Sequence, residues 1–118
     1  MPSERTVRCF TDIIAAIDLV QSWVAGGAEQ TLRDNVLVRS AVERQILVIS
    51  EAAVRLEKIE PGLSAKVAPE IDWAGIRGIG NFIRHKYDDL DATVISDVVS
   101  NRLQSLRSAA ERGLAQQD

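Results

Sequence analysis

Apolar residues recur along this chain at intervals of three and four, and no stretch sustains an alternation of two. A helix stacks positions i, i+3, i+4 and i+7 on one face, whereas a strand stacks i and i+2, so the pattern leaves helices as the building material. The clearest run is Val42, Ile46, Ile49, Ala53 and Leu56, with spacings of 4, 3, 4 and 3. Leu47 and Val54 widen that stripe, which predicts a central helix buried on more than one side. Glycine and proline mark the breaks. One helix is expected from about Ser3 to Val24, stopped by Gly26 and Gly27, and a second from Asp34 or Asn35 to about Ile59, ahead of Pro61 and Gly62. Between them "AEQTLRD" reads as a connector, and "EPGLSAKVAPE" as a linker with room for a single turn. A third helix opens after Asp72, a good N-cap, and ends near Lys86 or Tyr87. "DDLD" makes the next turn, and Asp91 caps a last helix through about Arg112. The expectation is all-α: an up-and-down bundle of four main helices with short extra turns, in one domain over 1–118.

Composition narrows the function. A net charge of -3 excludes a basic wrapper of nucleic acid but leaves room for a local cationic patch. The single cysteine, Cys9, offers neither an internal disulfide nor metal-ligand spacing and reads as a small buried apolar residue. No apolar run reaches the ~18 residues of a membrane span, and the polar opening "MPSERTVR" is no signal peptide, so a cytoplasmic protein is expected.

The chemistry concentrates in "RGIGNFIRHKY", Arg77 to Tyr87, which holds the only histidine and the only tyrosine. At about 100° per residue, with Arg77 at zero, Asn81 falls at about 40°, Arg84 at about -20° and His85 at about 80°. Ile76, Ile79, Phe82 and Ile83 fall between about 140° and 260°, the expected core side. Gly80, at about -60°, lies on the rim of the polar face. Each glycine costs about 1 kcal/mol in a helix interior, so Gly78 and Gly80 together suggest a close approach by another helix or a ligand backbone. An ordinary solvated face carries the same residue types, and a histidine near a helix C-terminus is a good partner for the dipole. "GIG" is no dinucleotide loop, since no strand precedes it. Asp88, Asp89 and Asp91 read as a turn and a cap.

"WAGIRGIGNFIRHKYDDLD" resembles the signature of the HepT-like family, within the HEPN superfamily of small all-helical ribonucleases. Asn81, His85, Tyr87 and Asp91 match the pattern in place. "AVERQILVISEAAVRL" is similar to the family's second helix, and its Glu51 matches the acidic, supporting position there. The likeness runs from about Asp34 to Leu106. One position departs: the family's arginine, five before the histidine, is here Gly80. Arg77 and Arg84 are the helical neighbours of that position, and either guanidinium could occupy the space that a side chain at 80 would have filled; if neither does, the family's arginine has no replacement.

The resemblance implies an endoribonuclease that needs no metal or other cofactor. The 2′-hydroxyl attacks the adjacent phosphate, with His85 as acid/base, Arg84 or Arg77 on the transition-state charge, and Asn81 orienting. It also implies a homodimer with the motif helices facing a shared groove. The implied setting is a toxin–antitoxin pair. A small partner nucleotidyltransferase attaches AMP to Tyr87 and silences the ribonuclease, since added phosphate neutralises a cationic pocket. RNA is the implied substrate, with neither DNA nor membrane as partner. The alternative is a non-catalytic helical module that binds a nucleotidyltransferase or a nucleotide, catalysis having been lost at Gly80.

Overall fold

The computed structural model describes residues 3–85 and 92–116, His85 and Ala92 by their backbone alone, and it is all-α. The described residues form α1 (Glu4–Trp23), α2 (Ala28–Asp34), α3 (Val36–Ile59), α4 (Leu63–Val67), α5 (Trp73–His85), α6 (Ala92–Asn101) and α7 (Leu103–Ala115). Among them no single helix is long and apolar enough to cross a membrane.

The two long helices begin on side-chain caps. Ser3 Oγ accepts from the Arg5 N–H at 3.1 Å and Asn35 Oδ1 from the Val38 N–H at 3.0 Å, each satisfying an N–H that the helix itself leaves unpaired. The first long helix is followed by Gly27 at φ +127° and the second by Gly62 at φ +83°, conformations that favour a residue without a Cβ. The α3 stripe of Val42, Ile46, Ile49, Ala53 and Leu56 is buried throughout. It meets Phe10, Ile13, Ile17 and Val20 of α1, which are equally enclosed. Helix α3 is central: α1 packs along one side of it and α5 along another, while α7 folds back onto α1. The sequence expectation of a helix buried on two sides is met inside one protomer.

Two expectations change. "AEQTLRD" is a helix, α2, with Leu32 fully buried as its anchor and Arg33 paired to Glu29 at 2.7 Å across one turn. A seven-residue helix with one large apolar side chain shows no periodicity to read; its packing against α6 holds it. The last helix is two, broken at Arg102 (φ -121°, ψ -32°). The break divides its apolar residues between partners: α6 packs on α2, whereas α7 carries Leu103 and Leu106 into the core beside α1. The cap assigned to Asp91, the "DDLD" turn and Lys86 lie outside the described residues.

Candidate active site

Helix α5 is fixed at its start and in its middle. Asp72 Oδ1 accepts from the Gly75 N–H at 3.0 Å, and the buried Trp73 indole donates from Nε1 to the Ala68 carbonyl at 3.0 Å. Halfway along, Ser50 of α3 inserts its hydroxyl into the α5 backbone. Its Oγ donates to the Arg77 carbonyl at 2.8 Å and accepts from the Gly80 N–H at 3.0 Å. A Cβ on Gly80 would stand 2.7 Å from that oxygen, 3.1 Å from Ser50 Cβ and 3.2 Å from Leu47 Cδ1. Gly80 is therefore a point of close approach between α3 and α5, of the kind the two glycines suggested in the sequence. Gly78 has nothing within 4 Å of where its Cβ would be.

Helix α5 is rotated relative to the sequence expectation. The buried residues are Trp73, Ile76, Gly80 and Ile83, an arc from about 240° to about 320° on the wheel with Arg77 at zero. Gly80, expected on the polar rim, sits inside that arc. Phe82, expected in the core, is 44% exposed. The space beyond position 80 is occupied by Ser50 and Leu47, so neither Arg77 nor Arg84 fills it.

The polar face itself stands as the wheel draws it. Asn81 and Arg84 are exposed, and His85 is the last residue of the helix. Arg77 is half-buried, and its Nη1 lies 3.9 Å from Glu57 Oε2 of α3. Arg84 has no ion pair among the described residues. The two arginines thus differ: one stands beside a carboxylate, and the other meets none among the described residues. Tyr87 lies outside the described residues.

Glu51 follows Ser50 on α3 and is turned about 100° away from it, onto the surface flanking the polar face of α5. It is partly buried, and no hydrogen bond or ion pair reaches it among the described residues. Toward the other end of α3, burial pushes the Glu43 carboxyl above its ordinary value, against the opposing pull of Arg39. No group of three or more His, Cys, Asp or Glu side chains that could hold a metal ion occurs among the described residues.

The opposite flank of α5 borders an open apolar groove of about 590 Å³, walled by Gly78, Ile79, Phe82 and Ile83 and, from α6, by Val94 and Val98. A cationic face and an apolar groove therefore lie on the two sides of one helix. The face combines a guanidinium beside a carboxylate, a second with no ion pair among the described residues, an amide and the helix-end imidazole position, the functional groups that bind and polarise a phosphodiester. Sequence reasoning missed Ser50 as the residue that docks this helix. Its signal was a hydroxyl beside the apolar stripe of α3, within the "AVERQILVISEAAVRL" segment that carries part of the family resemblance.

The sequence matches the family model described as Ribonuclease HepT-like over residues 13–112. No solved structure matches it.

Proposed function

The chain belongs to the HepT-like ribonuclease family, and from that premise we propose that it is a metal-independent endoribonuclease acting on cytoplasmic RNA, the toxin of a toxin–antitoxin pair. The observation that carries this reading is the α5 face, where Arg77, Asn81, Arg84 and His85 fall within one arc and α3 holds the helix by its backbone. His85 takes the proton from a ribose 2′-hydroxyl as the oxygen attacks the neighbouring phosphorus, and returns a proton to the departing 5′-oxygen. The bond from 2′-oxygen to phosphorus forms and the bond to the 5′-oxygen breaks, leaving a cyclic phosphate and a 5′-hydroxyl. Of the two arginines, Arg84 is the better transition-state cation, because no carboxylate engages it among the described residues. Arg77, beside Glu57, orients the substrate together with Asn81. Glu51, on the adjoining surface of α3, supports that face. Cleavage of a labelled RNA by the purified protein, lost in His85→Ala and unaffected by chelator, is the expected result. Equal cleavage by wild type and His85→Ala would remove this reading.

The proposed assembly is a homodimer of a single helical domain. Its support is the apolar groove beside the polar face, where Phe82 and Val94 are exposed. A partner nucleotidyltransferase placing AMP on Tyr87 is the proposed silencing step. Tyr87→Phe then retains most ribonuclease activity and is more toxic than wild type when the two proteins are co-expressed. An AMP-sized mass gain on the Phe variant would exclude Tyr87 as the acceptor.

One observation favours a second reading. The family's arginine position is Gly80, and the space beyond it is closed by α3. If catalysis requires a guanidinium there, the protein is a helical module that binds a nucleotidyltransferase or a nucleotide. Absence of cleavage, with retained binding of the partner enzyme, is its signature.

A further inference from the structure

The described cations divide into two groups. Arg8, Arg33, Arg39, Arg55, Arg77, Arg102, Arg107 and Arg112 each stand within 4.0 Å of a carboxylate oxygen. Arg5, Arg44, Lys58, Lys66 and Arg84 make no ion pair among the described residues. All of the second group except Lys66 belong to the three helices α1, α3 and α5.

Helix geometry gathers these onto one surface. With Ser50 facing α5 at zero, Lys58 falls at about 80° on α3, Arg44 at about 120° and Arg55 at about 140°. All three are exposed. Helix α5 runs antiparallel to α3, as the pairings of Gly80 with Ser50 and of Arg77 with Glu57 require. Its polar side therefore faces the same way as the exposed strip of α3. On the other side of that strip, α1 contributes Arg8 and Asp12, and Arg55 Nη2 lies 3.6 Å from Asp12 Oδ2. There the surface deepens into a cleft of about 260 Å³ lined by Glu4, Arg5, Arg8, Cys9, Arg55 and Ile59. From Arg44, level with the Arg84 end of α5, to Lys58 is about 20 Å along α3. The surface also carries the carboxylates of Glu4, Asp12, Glu51 and Glu57, which the cations outnumber. The chain as a whole has the opposite sign, -3.

We infer that the cleft between α1 and α3 is a second phosphate-binding site, through which Arg5, Arg8 and Arg55 hold the backbone of a single-stranded RNA that continues across α3 to the α5 face. This rests on the ribonuclease reading for its ligand. Guanidinium groups at the rim of a cleft suit phosphate oxygens. Between Arg44 and Lys58 none of the exposed large apolar side chains lies on this surface; Val36 and Leu37 stand about 10 Å beyond Arg44, at the first turn of α3, too small an apolar patch for insertion of this face into a lipid layer. No aromatic side chain lines the cleft for a base to stack on, so the contact is electrostatic and indifferent to base sequence. Arg5 and Arg8 precede the residues matched by the family model, and Arg55 lies within them. Asp12 lies within ion-pair distance of both Arg8 and Arg55 and restrains the site.

The test measures binding of labelled single-stranded RNAs of two lengths to the full chain carrying His85→Ala, which leaves the RNA intact. The shorter is a dinucleotide confined to the α5 face, and the longer spans both helices. Replacing Arg5, Arg8 and Arg55 together by Ala is expected to weaken binding of the long RNA by about 10- to 100-fold and to reduce its salt slope by about 2, at roughly 0.7 for each phosphate no longer neutralised. Cleavage of the dinucleotide, measured with His85 restored, stays unchanged. Asp12→Asn, which frees two guanidiniums, is expected to tighten long-RNA binding several-fold, a gain that a folding defect cannot imitate. Long-RNA affinity and salt slope equal to wild type in the triple variant would overturn the site while leaving the nuclease reading intact. So would binding to anionic phospholipid vesicles in place of RNA. Arginine-dependent RNA binding by a wild-type protein that cuts no RNA would keep the site and remove the nuclease reading.

Discussion

Gly78 and Gly80 look alike in sequence and do opposite things. Around Gly78 there is open space, so a methyl group meets nothing and the helix gains the propensity difference. Gly78→Ala is expected to raise stability by about 1 kcal/mol in urea unfolding. Gly80→Ala drives a Cβ to 2.7 Å from Ser50 Oγ, which is itself engaged by two backbone groups. Overpacking of this kind costs about 1–3 kcal/mol, more than the propensity gain returns, so Gly80→Ala is expected to destabilise. Ser50→Ala alone should lose about 1 kcal/mol with its hydrogen bonds. In the double variant the oxygen is gone, so the two losses should add to less than their sum. Strict additivity would show that Ser50 and Gly80 do not share a contact. Gly80→Arg, which restores the family residue, should unfold or displace α5 before it improves cleavage.

Helix α7 is seated on α1 by a comparable device. A Cβ on Gly113 would come within 2.5–2.7 Å of the Phe10 ring, and that ring is wholly enclosed. Gly113→Ala is expected to cost about 1–3 kcal/mol although it improves helix propensity, and a rise in melting temperature would contradict this packing. Helix α3 carries a pH-dependent element. Burial raises the folded-state value of Glu43 above its unfolded value. A carboxyl so raised favours the folded protein when protonated, and that contribution is lost as pH rises through the folded value. Glu43→Gln should therefore be more stable than wild type at neutral pH, with the difference vanishing below the ordinary glutamate range; an unchanged difference from pH 3 to pH 8 would refute it. Asp18 beside Arg107 and Glu70 beside Arg112 have the opposite sign, their carboxyls held low by guanidinium hydrogen bonds. Their stabilisation is present at neutral pH and is lost on acidification through the folded values. Both carboxylates are about half exposed, so solvent screening keeps their contribution small.

For the whole molecule, the open groove between α5 and α6 is the region where apolar surface is left exposed beside the candidate site. If two copies meet there, Phe82→Asp should convert a dimer to a monomer in light scattering at micromolar concentration and should leave the fold intact, since Phe82 is 44% exposed. A wild-type monomer under those conditions would remove the dimer from the proposal. The predicted apolar surplus of α3 does not bear on this question. Helices α1 and α5 of the same chain already cover it.

The all-α architecture was legible in the sequence because period and breaks are local properties. The stripe from Val42 to Leu56, the caps Ser3 and Asn35 and the stops at Gly27 and Gly62 depend on residues within a turn or two of each other. The residues of the candidate face were legible for the same reason, since a helix fixes the mutual angles of Arg77, Asn81, Arg84 and His85 wherever it lies. The rotation of that helix was not legible. It goes with the burial of Trp73, Ile76 and Ile83 and with a hydroxyl on α3 that is thirty residues away in sequence from the glycine it contacts. That packing buried Gly80 and turned Phe82 to the surface. Helix α2 and the break at Arg102 were hidden in the same way, since a short helix and a change of partner draw their stability from packing that no local pattern encodes. Sequence set which side chains share a face of α5; the packing of α5 on α3, with Ser50 against Gly80 at its middle, decided which way that face looks.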